Sequence, residues 1–128
     1  MRLKSEESND VKGESFFCHL VIPAANLEKS KLFYRKVFGW IVEKQEGTSS
    51  WDVMPRSRKG PSAELNLEEK TLTPAIHTTD IKVALKLIER YGGKTLKGKT
   101  AIGENLENGY FALFEDPGGN KMCLYSGS

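Results

Sequence analysis

Three observations predict an α+β domain made of two βαβββ modules. The chain repeats itself, since an apolar strand-like run, an Asn or Asp, an amphipathic helix and a glycine occur twice in one order. Each helix is followed by short segments of strand-like composition separated by turn residues. A length of 128 residues with 38% hydrophobic and 28% charged residues suits one soluble folding unit with a real core.

The elements can be read in order. Phe17-Cys18-His19-Leu20-Val21-Ile22-Pro23 is an apolar run with strand character. Asn26 is an N-cap, because its side-chain oxygen accepts from the free N–H groups of a first helical turn. Leu27, Ser30, Lys31, Tyr34, Val37 and Phe38 then recur at helical spacing. Gly39 stops the helix in the left-handed conformation, and Trp40-Ile41-Val42 reads as the next strand. Two more strands, Ser50-Trp51-Asp52-Val53-Met54 and Ala63-Glu64-Leu65-Asn66-Leu67, flank the loop from Arg56 to Pro61.

The second copy starts at Leu72-Thr73-Pro74-Ala75-Ile76-His77. Asp80 takes the cap position of Asn26, and Ile81, Ala84, Leu85, Ile88 and Tyr91 repeat the helical face. Gly92-Gly93 end the helix before Lys94-Thr95-Leu96. Laid on one another, Asn26 meets Asp80, Leu27 meets Ile81, Tyr34 meets Ile88, Val37 meets Tyr91 and Gly39 meets Gly93 without a gap. Tyr110-Phe111-Ala112-Leu113-Phe114 and Lys121-Met122-Cys123-Leu124-Tyr125 close this copy. Between them Asp116-Pro117-Gly118-Gly119-Asn120 forms a turn, with Pro presetting φ and Gly and Asn tolerating positive φ. The predicted organisation is a flexible polar tail over 1–15 and one domain over 16–126, with modules at 16–68 and 71–126.

Composition excludes several classes of function. The 19 basic and 17 acidic residues are scattered and give a net charge of +2, so the basic stripe of a nucleic-acid binder is missing. No apolar run approaches the roughly 18 residues that would argue a membrane span. The first fifteen residues lack the apolar core of a signal peptide. Two cysteines set far apart do not make a disulfide scaffold, so a cytoplasmic, reducing location is expected.

The order of elements, the stretch from His19 through Phe33-Tyr34-Arg35-Lys36-Val37-Phe38-Gly39-Trp40, and the closing hairpin from Gly109 to Asn120 resemble the vicinal oxygen chelate superfamily of glyoxalases, bleomycin-resistance proteins and dioxygenases. The nearest resemblance is to its single-domain proteins described as related to lactoylglutathione lyase. The resemblance covers about residues 16–126 and implies a half-open, barrel-like sheet with a concave site, often completed in a homodimer. It also implies a divalent metal such as Zn, Ni, Fe or Mn, held by His or Gln on the first strand of each module and Glu on the last. Carried over position by position, His19 and Glu64 match in the first module. Thr73 and Cys123 stand at the equivalent positions of the second. Neither is the expected ligand, so the set is incomplete and the cofactor is either such a metal or none.

Alternation along the strands points Phe17, His19 and Val21 one way and Cys18, Leu20 and Ile22 the other. By the same rule Ser62, Glu64 and Asn66 face the site, as do Lys121, Cys123 and Tyr125. His77 shares the face of Thr73, but four residues of strand place it roughly 13 Å away, too far to replace it as a ligand. The resemblance makes His19 and Glu64 the expected catalytic pair, either as metal ligands or as acid and base. Phe17, Trp51, Asn66, Thr73, His77, Tyr110, Cys123 and Tyr125 are the expected ligand-binding residues. Three functions fit: a lyase- or isomerase-like enzyme acting on a small oxygenated molecule, a metal-free binding protein of the antibiotic-sequestering kind, and a dimeric interaction or regulatory module. Each has a small molecule or a second protein as partner, with no nucleic acid and no membrane.

Overall fold

The computed structural model describes residues 10–104 and 106–128. The fold is α+β, with the expected strand–helix–strand–strand–strand order twice over. The first half comprises β1 (Phe16–Pro23), α1 (Leu27–Phe38), β2 (Ile41–Lys44), β3 (Trp51–Met54) and β4 (Ser62–Asn66). The second comprises β5 (Thr73–His77), α2 (Ile81–Arg90), β6 (Lys94–Ala101), β7 (Tyr110–Glu115) and β8 (Lys121–Ser126), with a 3-10 turn at Leu106–Asn108. The chain divides into two compact units, one over Phe17–Ala75 and the other over Ile76–Ser128 together with Phe16 and the described residues before it. The boundary falls within β5.

Strand order in the first unit is β2-β3-β4-β1, with β2 as an open edge. β4 runs parallel to β1 and antiparallel to β3. Within the second unit the order is β8-β7-β6, with β6 as its edge. Both caps form as expected: Asn26 Oδ1 accepts from the Lys29 N–H at 3.1 Å, and Asp80 Oδ1 from the Val83 N–H at 3.1 Å.

Each unit has its own core. Ala24, Val53 and Leu65 are buried under α1 with Ile22, Leu27, Tyr34, Trp40, Val42 and Trp51 around them. Ile81, Ala84, Ala112, Phe114 and Leu124 fill the second. Two expectations for the helical faces change. Val37 and Phe38 are 56% and 55% exposed, because Leu27 and Tyr34 reach the core and Phe38 instead lies against Trp40, ring centroids 5.1 Å apart. Tyr91 ends its helix 59% exposed, with the Arg90 guanidinium 5.6 Å from its ring. Residues 1–9 of the expected polar tail lie outside the described residues. Within the rest of it, Val11 packs against the second core and the Lys12 carbonyl accepts from the Thr79 hydroxyl.

The paired glycines Gly39 and Gly93 serve different physics. Gly39 has φ 68° and open space around it, and its N–H donates to the Arg35 carbonyl at 2.9 Å, so it is there for a left-handed turn. Gly93 has no positive φ, but a Cβ there would lie 2.5 Å from Ile88 Cγ2 and 2.8 Å from the Glu115 carbonyl oxygen. The second neighbour is backbone and cannot swing aside. Gly93→Ala is therefore expected to cost about 1–3 kcal/mol by overpacking. Urea denaturation checks this, with Gly98→Ala as the control because a Cβ there meets nothing within 4 Å.

Candidate functional site

The polar site lies on the face of the first unit's sheet turned away from α1. Register places it: in the β1–β4 pair His19 stands beside Ser62 and Val21 beside Glu64. In the β3–β4 pair Asp52 stands beside Glu64. Directly paired strand residues share a face, so His19, Ser62, Glu64 and Asp52 project together. The opposite face carries Ile22, Val53 and Leu65 into the core.

The side chains bond to one another rather than standing apart. His19 Nε2 is 2.7 Å from Glu64 Oε1, and His19 Nδ1 is 2.5 Å from Ser62 Oγ. Asn66 Nδ2 donates to Glu64 Oε2 at 3.2 Å and to Ser50 Oγ at 3.3 Å. Asn66 Oδ1 in turn accepts from the backbone N–H groups of Glu68 and Glu69, which fixes the amide's orientation. Asp52 is held separately by Gln45 Nε2 at 2.9 Å.

Both members of the central pair are mostly withdrawn from water, the His19 side chain 19% and that of Glu64 14% exposed. Burial pushes the Glu64 carboxyl up. The hydrogen bonds from His19 and Ser50, the charge of His19 and the Asn66 amide outweigh it and hold the carboxyl below its ordinary value. The carboxylate is thus the favoured form, and it is a base with defined partners.

The expected site residues fall into groups. His19, Glu64 and Asn66 come together, joined by Ser50 and Ser62. Phe17 is 63% exposed on β1. Trp51 turns the other way: it pairs with Leu65, joins the core beneath α1, and carries the buried Lys31 ammonium 3.7 Å from its ring centroid. Tyr110 likewise packs against the second core, beside Ala112 and Phe114. Thr73 is buried and its hydroxyl donates to the Thr71 carbonyl at 3.0 Å. Cys123 is buried, with Sγ 3.4 Å from the Leu124 carbonyl. In the second unit His77 stacks on Phe16 with centroids 4.9 Å apart, and Tyr125 is 6.1 Å away. The buried Nδ1 of His77 has no hydrogen-bond partner among the described residues.

A cavity of about 720 Å³ in the second unit lies among Val11, Ile88, Tyr91, Phe114 and Pro117. It offers little chemistry, because the carboxylate of Asp116 at its edge is occupied by the N–H groups of Gly118 and Asn120 and the Asn120 amide. His19 and Glu64 by themselves supply two metal donors. Among the described residues no group of three His, Cys, Asp or Glu side chains converges. A catalytic metal site usually draws three or more protein ligands, of which His19 and Glu64 would supply two.

Two half-sheets of βαβββ order, one bearing a His–Glu pair on its polar face, have the architecture of the glyoxalase kind. The chain belongs to the Glyoxalase/Bleomycin resistance protein/Dioxygenase superfamily, whose model matches residues 17–124. No curated protein sequence matches it. Solved structures share the fold at low identity. The hypothetical protein BH1468 from Bacillus halodurans C-125 is 12% identical with a TM-score of 0.68, covering 91% of this chain and 96% of that one. Methylmalonyl-CoA epimerase from Mycobacterium tuberculosis is 14% identical with a TM-score of 0.59, covering 94% and 95%. The 2,3-dioxygenase LapB from Pseudomonas sp. KL28 is 24% identical with a TM-score of 0.59, covering 88% of this chain and 40% of that one.

Proposed function

We propose that the first half binds a small oxygenated molecule on its β1–β3–β4 face and that Glu64, held by His19, moves a proton to or from it. The reaction class is isomerisation, epimerisation or elimination beside a carbonyl. The observation that carries this is the withdrawn carboxylate bonded at 2.7 Å to an imidazole. A base so placed needs only a C–H acid within reach, and the exposed Ser62 hydroxyl lies on the same face to meet a substrate oxygen. One protein of the same fold is an epimerase, and inverting a carbon next to a carbonyl requires removing and returning a proton. In this reading the protein works in the cytoplasm, in keeping with its two widely separated cysteines, and as a homodimer, as its resemblance to the superfamily implies.

The test is solvent deuterium uptake, followed by NMR, into a panel of 2-hydroxy acids, 2-oxo acids and acyl thioesters. Uptake that depends on Glu64 supports the reading, and none across the panel counts against it. Metal analysis and titration with nickel, zinc, iron and manganese belong in the same experiment. Stoichiometric binding lost in His19→Ala and Glu64→Ala would make the pair a metal ligand set. Without binding, any exchange belongs to the acid–base pair alone.

A second reading, a protein that holds its ligand without changing it, is favoured by the Phe16–His77 stack beside Tyr125. Such a site needs shape and aromatic faces rather than metal ligands. Saturable binding of a flat ligand with no deuterium uptake would select it.

A further inference from the structure

We propose that Ser62 is a nucleophile, activated by Glu64 through His19, that accepts an acyl group from small activated esters or thioesters. This goes beyond the proton-transfer reading, because the reacting atom is Ser62 Oγ and the substrate needs no acidic C–H.

With Glu64 ionised and His19 neutral, the hydrogen-bond partners set one order of protons along the row. A carboxylate only accepts, so the Glu64 oxygen at 2.7 Å requires His19 Nε2 to carry hydrogen. In the neutral ring Nδ1 then presents a lone pair. The Ser62 hydroxyl, 2.5 Å from Nδ1, is the donor of that bond. The Cys18 carbonyl is its competing acceptor but lies 3.4 Å away, so the shorter bond to the imidazole takes the proton. Hydroxyl, imidazole and carboxylate stand in the order that activates serine on unrelated folds, with the two ring nitrogens exchanged: here Nδ1 faces the hydroxyl and Nε2 the carboxylate. Ser62 is exposed at the start of β4, so an acyl donor can reach Oγ, whereas Glu64 behind it is withdrawn.

The chemistry balances without an outside reagent. Ser62 Oγ attacks the carbonyl carbon and an O–C bond forms while its proton passes to His19 Nδ1. The imidazolium is held by Glu64. The bond from carbon to the alkoxide or thiolate leaving group then breaks, and that group takes the proton from Nδ1. Water repeats both steps on the acyl-serine, releasing the carboxylic acid and restoring the hydroxyl.

The experiment treats the full chain with p-nitrophenyl acetate and, separately, with a fluorophosphonate probe, and maps modified peptides by mass spectrometry. Acetyl and phosphonyl groups on Ser62 are expected, together with release of p-nitrophenolate. Ser62→Ala abolishes both adducts, and circular dichroism checks that this exposed substitution leaves the protein folded. His19→Ala slows acylation by about 100-fold or more, the scale of a positioned general base. Glu64→Gln slows it as well, and Ser57→Ala, on the loop before β4, labels like the unaltered protein. An unmodified Ser62 in the folded wild type, or acylation at a rate His19→Ala does not change, overturns the proposal. A protein that exchanges substrate hydrogen but takes no acyl label overturns this inference and leaves the proton-transfer reading standing.

Discussion

Glu64→Gln is expected to lower deuterium uptake by about 100- to 10,000-fold, the range a general acid or base supplies. The amide keeps nearly the shape of the carboxylate but has no basic oxygen. It can also turn its NH2 toward His19 Nε2 and reverse the proton order of the row. A loss without loss of folding therefore isolates the carboxylate's chemistry from its packing. Acid stability gives an independent readout. The folded Glu64 carboxyl titrates below its ordinary value of 4.5, so its contribution is present above that value and disappears as pH falls through the folded value. The wild type should lose part of its denaturation free energy over that acid window, and Glu64→Gln should lack that part of the loss. Parallel stability curves for the two proteins from neutral pH down to the acid transition would show that the His19–Glu64 bond contributes nothing to folding.

Much of the fold was legible because it is written in local signals. Asn26 and Asp80 cap helices wherever a first turn leaves N–H groups free, and the helical spacing that follows needs no knowledge of the partner strands. His19, Glu64 and Asn66 were legible as one face because strand alternation is equally local. What joins them is not. The contact of His19 with Ser62 spans 43 residues and depends on the parallel β1–β4 register. No short-range pattern sets that register, so Ser62 could be read only as a neighbour and Ser50 not at all. Trp51 and Tyr110 show the same limit from the other side. Each aromatic ring suits a ligand or a core equally well, and only pairing decides: Trp51 stands beside Leu65, and Tyr110 shares the face of Ala112 and Phe114. The buried Lys31 over Trp51 follows from that orientation: helical spacing put Lys31 on the face of Leu27 and Tyr34, but no local pattern names the ring it covers.

Leu65→Ala should be among the most damaging single changes to stability, costing about 2–5 kcal/mol. Leu65 is fully buried, paired with Ile22 on one side and Trp51 on the other, so the lost methylenes leave a void that rigid neighbours cannot close. A single domain has about 5–15 kcal/mol in total, which puts the variant near its unfolding threshold at ordinary temperature. Denaturant unfolding should show a lowered midpoint with an unchanged slope, and Leu67→Ala, 51% exposed just past the same strand, should stay within about 0.5 kcal/mol of the wild type. The consequence reaches the site, because Glu64 and Asn66 flank Leu65 on β4 and point to the opposite face. If the core under α1 fixes the strand, the variant will lose activity at Glu64 in proportion to its unfolded fraction and no faster. Activity that falls well before the protein unfolds would mean that Leu65 also sets the hydrogen-bond geometry of the row above it.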